Sequence, residues 1–150
     1  MKESWVSHKV AQLKQSLLAA RTDEVEEILA ELKSEGDPDS IELLIGLLDD
    51  QHPYDELMYA LIHTIENFDD ETYAKHILNT VPDFVYRAPR WASIVVMRIL
   101  NSDETRVALI RECNRNASPE QKEALKRLLN SINEVPPEFL AKTVPLLGVL

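Results

Sequence analysis

The chain has 150 residues, 45% of them hydrophobic, and a formal net charge of −10, which fits one domain able to bury about 68–70% of its unfolded surface and excludes intrinsic disorder. A single cysteine excludes an intrachain disulfide and suits a reducing compartment; three glycines leave little material for a phosphate-cradling loop; and the acidity argues against a nucleic-acid footprint. No apolar run reaches the ~18 residues of a membrane span and the N-terminus has no apolar signal core, so a soluble, cytoplasmic protein is expected.

In chain order, the apolar spacing is helical nearly everywhere. Residues 4–20 place Val6, Val10, Leu13 and Leu17 on one stripe, and 24–34 place Val25, Ile28, Leu29 and Leu32 on another. Asp23 and Glu26 have capping-box spacing, and Gly36 is a stop. Pro38 is expected at the first position of a third helix carrying Ile41, Leu44, Ile45 and Leu48 to about Asp49. Pro53 is expected to open a fourth, with Tyr54, Leu57, Met58, Leu61, Ile62 and Ile65 inward. Asp69 or Asp70 caps a fifth with Tyr73, Ile77 and Leu78 inward, and Pro82 and Pro89 bracket a short connection. Residues 90–100 carry Trp91, Ile94, Val95 and Ile99; a seventh helix from Ser102 or Asp103 carries Val107, Ile110 and Cys113. Ser118-Pro119-Glu120-Gln121 is the clearest cap, leading to Leu125, Leu128, Leu129 and Ile132. The segment 133–150, broken by Pro136, Pro137 and Pro145, reads as an apolar tail or a docked short helix.

No stretch shows sustained period-2 alternation, so the expected class is all-α. Openings at Asp37, Asp69 and Ser102 recur at 32 and 33 residues, and the second helix of each pair opens with Pro53, Pro89 or Pro119. A period of that size points to a HEAT-like stack of antiparallel helix pairs, about eight helices in a right-handed array forming a single domain over 1–150.

Charge is divided along this array. Residues 22–72 hold 17 Asp/Glu against one Lys/Arg, a net of −16, whereas residues 73–130 hold ten Lys/Arg against six Asp/Glu. An anionic third of this kind usually meets a cationic protein surface.

The stretches LLIGLLDDQHPYDELMYALIHTIENFDDETYAKHIL (43–78), RAPRWASIVVMRILNS (87–102) and ASPEQKEALKRLLN (117–130) resemble the bacterial immunity proteins catalogued as immunity protein family thirty, over about residues 37–132. That family is all-α and accompanies polymorphic toxins and contact-dependent inhibition systems. The resemblance implies a non-enzymatic binder that neutralises a cognate toxin through the toxin's basic face, with no cofactor. A nuclease, which must be basic to hold nucleic acid, is the natural counterpart of an acidic inhibitor. The alternative is a HEAT-like adaptor for another protein, unrelated to toxins. A monomer or weak dimer is expected.

Two clusters are candidate partner-binding sites. The first is Asp49, Asp50, His52, Asp55, Glu56, Tyr59, His63 and Glu66; Glu56, Tyr59 and His63 share one helix face. Carboxylates in a first helical turn also complement the helix dipole, and Tyr59 and His63 also read as ordinary half-buried residues. The acid excess over what capping needs favours a surface. A metal site from His52, Asp55, His63 and Glu66 lacks a ligand pair of the usual spacing on one helix, so no metal is expected. The second cluster is Arg90, Trp91 and Arg98, with Arg87 nearby. Trp91 reads either as core or as a partner contact, Trp and Arg being enriched at interface hot spots. Cys113 reads as a buried, inert thiol, and no nucleophile–base arrangement or paired-carboxylate pocket points to catalysis.

Overall fold

The computed structural model describes residues 2–132, 146 and 148–150, with side chains from Trp5 onward. Among the described residues there are eight helices and no strand: α1 (Lys2–Leu18), α2 (Thr22–Glu35), α3 (Asp39–Ile45), α4 (Asp55–Ile65), α5 (Asp70–Arg87), α6 (Pro89–Leu100), α7 (Asp103–Asn116) and α8 (Pro119–Ile132). The all-α class follows from the 3.6-residue apolar period. The chain forms two compact units, Met1–Asp69 and Asp70–Leu150.

In the first unit α1 packs on α2 and α3, α2 on α4, and α3 on α4, the neighbour pattern of two stacked helix pairs. Val6, Leu13, Leu17, Val25, Leu32, Ile41, Leu44, Leu48, Met58, Leu61 and Ile62 are buried there. Helix α2 ends on Gly36 in the left-handed region (φ 68°), whose N–H donates to the Leu32 carbonyl at 3.0 Å. Helix α1 ends differently. Ala20 takes φ 54°, and the Arg21 N–H reaches back to the Ser16 carbonyl at 2.9 Å.

In the second unit α5 packs on α6, α7 and α8, and α6 packs on α7 and α8. Phe84, Trp91, Ile99, Leu109, Leu125 and Leu129 are buried in it. The buried Thr105 hydroxyl donates to Asp70 Oδ1 at 2.6 Å, tying the start of α7 to the start of α5. The capping box at α8 forms in both directions: the Gln121 N–H donates to Ser118 Oγ (3.1 Å) and the Ser118 N–H to Gln121 Oε1 (2.9 Å).

Several local expectations are corrected. Pro82 lies inside α5, which runs unbroken from Asp70 to Arg87 and buries Ile77, Leu78, Val81 and Phe84 around it. Packing of this face offsets the cost of a proline in a helix interior, about 3 kcal/mol. Asp23 makes no cap; the N-cap of α2 is Arg21, without a side-chain bond. Pro38 is the N-cap of α3 rather than its first residue, and α3 stops at Ile45. Helix α4 begins at Asp55, two residues after Pro53, so Tyr54 is an extended N-cap (φ −119°, ψ 98°) and is exposed rather than inward. Val107 is exposed and Ile110 half-buried, because α7 turns Thr105, Ala108, Leu109 and Cys113 inward instead, and Ile94 is half-buried because α6 turns Trp91, Ala92, Val95, Val96, Ile99 and Leu100 inward. Of the segment 133–150, residues 133–145 and 147 lie outside the described residues; Leu146 is buried.

Candidate functional site

The first cluster lies in the first unit, on the connection between α3 and α4 and on α4 itself. Asp49 is exposed, and its Oδ1 accepts the Gln51 N–H at 2.9 Å, closing the turn after α3. His52 is half-buried and both ring nitrogens are engaged. Nδ1 accepts the Tyr54 N–H at 3.1 Å; Nε2 lies 3.0 Å from the Leu17 carbonyl. An imidazole that accepts at Nδ1 must carry its proton on Nε2 to satisfy both contacts, so Nε2–H donates to Leu17. His52 is thus a brace between the α3–α4 connection and the end of α1.

Asp55 and Glu56 stand in the first turn of α4, where the helix dipole favours carboxylates. Glu56 and His63 are exposed; Asp50, Asp55, Tyr59 and Glu66 are half-buried. The Tyr59 and His63 rings stack at 6.4 Å in a tilted arrangement. The structure therefore brings Asp55, Glu56, Tyr59 and His63 onto one helix, with Glu66 at its C-cap and Asp49, Asp50 and His52 on the connection leading into it.

The acid excess extends beyond this cluster. The first unit carries a formal −11 and the second +1. None of the carboxylates from Asp23 to Asp69 is buried. Lys9 pairs with Glu31, and Arg21 lies 3.6 Å from Glu24, which also accepts the Ser16 hydroxyl at 2.9 Å. These groups line a shallow groove of about 400 Å³ between α1 and α2, together with Gln12, Glu27 and Ile28.

The second cluster divides. Trp91 is 0% exposed, so its place is in the core and not on a contact surface. The expectation that it touches a partner is corrected by its position: as the third residue of α6 it faces inward with Val95 and Ile99. Arg90 is exposed and its guanidinium lies over the Trp91 ring at 4.9 Å; Arg98 is half-buried. Arg87 binds Asp83 at 3.2 Å and lies over Phe84.

Sequence reasoning missed two exposed apolar side chains beside the His52 brace. Leu18 is 71% exposed and Tyr54 45% exposed. A signal for Leu18 was present, since it follows Leu17 and so falls off the Val6–Val10–Leu13–Leu17 stripe. Tyr86, 90% exposed at the end of α5, was also missed.

Among the described residues, no group of three or more His, Cys, Asp or Glu is arranged to hold a metal ion, and no helix is long and apolar enough to cross a membrane. Cys113 is buried, and burial, with Glu112 nearby, pushes its thiol up to about 11, away from the thiolate a nucleophile needs.

No curated protein and no solved structure is significantly similar to the chain. The profile of the Immunity protein 30 family matches residues 14–109. The match begins earlier than the quoted motifs, taking in the end of α1 and all of α2, and it stops within α7, short of the 117–130 motif. Because it spans 96 of the 150 residues, the chain belongs to the Immunity protein 30 family.

Proposed function

We propose that this immunity protein binds a cognate toxin in the cytoplasm of the producing cell and neutralises it by occupying its surface, without chemistry. The acidic face of the first unit, including Asp49, Asp50, Asp55, Glu56, Tyr59, His63 and Glu66, meets a basic face of the toxin. A nuclease is the class of toxin that fits best, because the groove that holds its substrate backbone must itself be cationic.

The observation that carries this reading is the separation of charge between the units, −11 against +1, with the described acids of the first unit all at the surface. Capping accounts for only some of them. Asp23, Glu26, Glu27 and Glu56 are exposed and enter no ion pair among the described residues. A patch of one sign raises the encounter rate with an oppositely charged partner and disfavours wrong partners.

The test is co-expression with the product of the adjacent gene, the expected toxin. The parent protein restores growth, and it forms an equimolar complex from which the toxin is recovered unmodified. Absence of protection by the parent, or recovery of a covalently altered toxin, contradicts the proposal.

A further inference from the structure

Two large apolar side chains at the surface of the first unit flank one polar brace. Leu18 ends α1 and follows Leu17, whose carbonyl His52 holds through Nε2. Tyr54 gives its N–H to Nδ1 of the same ring, and its own ring meets the imidazole edge-on at 6.1 Å. The brace fixes the Tyr54 backbone and the end of α1 to each other before any partner arrives. Acids surround the feature in sequence and charge: Asp49 and Glu56 are exposed on either side of Tyr54, in a unit of net −11.

We infer that Leu18 and Tyr54, whose backbones the His52 bonds to Leu17 and Tyr54 bring close, are the energetic centre of the binding surface, and that their occupant is a cationic segment of the toxin presenting an arginine or lysine beside apolar side chains. The inference rests on the reading of the chain as a toxin binder and adds where its affinity resides. Interface energy concentrates in a few apolar or aromatic anchors that become fully desolvated, inside a polar rim that contributes little on its own. A Tyr ring with carboxylates nearby suits a guanidinium or ammonium, since the ring face attracts the cation and the carboxylates neutralise it. An anionic or lipid occupant is disfavoured by the same charges. Because His52 already ties the Tyr54 backbone to the end of α1, binding avoids the cost of fixing that backbone.

The two parts of the surface therefore act on different rates. Rim charges govern association, and the anchor governs dissociation. The probe is the product of the adjacent gene, the expected toxin, carrying an inactivating substitution and immobilised for surface plasmon resonance. Leu18→Ser combined with Tyr54→Ala should dissociate roughly 30-fold faster or more, with an unchanged association rate and salt dependence. Tyr54→Phe keeps the ring and should stay within about threefold of the parent. Glu26→Lys with Glu27→Lys and Glu56→Lys should instead slow association. All substituted side chains are exposed, and an unchanged far-UV circular dichroism spectrum confirms the fold.

If the Leu18/Tyr54 variant dissociates like the parent while the charge variant associates slowly, the anchor inference is overturned and the toxin-binding reading stands. A parent that does not bind the toxin overturns both. A dimer of the parent, seen by analytical ultracentrifugation and lost in the Leu18/Tyr54 variant, would give the pair to a second copy and likewise overturn the inference.

Discussion

At Ala20 the backbone enters the left-handed region without a glycine to ease it. An L-residue there costs roughly 1–2 kcal/mol, and the return bond from Arg21 to the Ser16 carbonyl holds it in place. Ala20→Gly should therefore raise stability by about 1 kcal/mol, read as a higher urea midpoint at an unchanged slope. A lower midpoint would mean that the conformation carries no strain. Cys113 gives a second expectation at this scale. Burial above all, and Glu112 beside it, push its thiol from the ordinary 9.0 up to about 11 in the folded chain. The unfolded chain thus releases this proton first, and the stability the neutral thiol provides is full below pH 9 and lost as pH rises toward 11. The loss is on the order of 2–3 kcal/mol. The fall in unfolding free energy between pH 9 and 11 should be smaller by that amount in Cys113→Ala than in the parent. Equal falls in the two proteins would contradict it.

The elements divide by how much of their physics is local. Helix α8 was legible in full: Ser118, Pro119 and Gln121 stand at N-cap, N1 and N3, and both capping bonds form. Ser118→Ala should cost about 1 kcal/mol in a denaturant melt, while a variant as stable as the parent would show the cap to be redundant. Helix α5 was legible only in part. Pro82 reads locally as a break, and only the burial of Ile77, Leu78, Val81 and Phe84 explains why the helix continues through it. The start of α4 was misjudged for the opposite reason. Pro53 is acceptable at a first helical position, but the His52 bonds to Tyr54 and Leu17 hold the chain extended until Asp55. The bond to Leu17 joins residues 35 apart, which no local pattern reveals. The acids of the candidate site were therefore legible from the sequence, and so was the off-stripe position of Leu18, whereas the exposure of Tyr54 and its link to the end of α1 through His52 were not. Trp91 was ambiguous on its stripe and is settled by burial.

At the scale of the whole chain, the family membership and the charge division both support the proposed toxin binding. The quoted motifs led to the immunity-protein resemblance, and the family profile over residues 14–109 includes α2 and α4, which carry much of the excess acid. The second unit is near neutral, and some of its charges pair, locally in Arg106–Asp103 and between helices in Arg111–Glu71. Such exposed pairs add little to stability; in the first unit Asp23, Glu26, Glu27 and Glu56 enter no ion pair among the described residues, and they are among the acids proposed to meet the toxin. The direct test of that claim is the association rate with the toxin domain at two ionic strengths, for the parent and for Glu26→Lys combined with Glu27→Lys and Glu56→Lys. These substitutions move the formal net charge from −10 to −4. The parent should associate at least tenfold more slowly when salt shortens the screening length from about 10 Å at 0.1 M to about 3 Å at 1 M, and the variant should be slow at both. Equal association rates for the two proteins at both salt concentrations would contradict it.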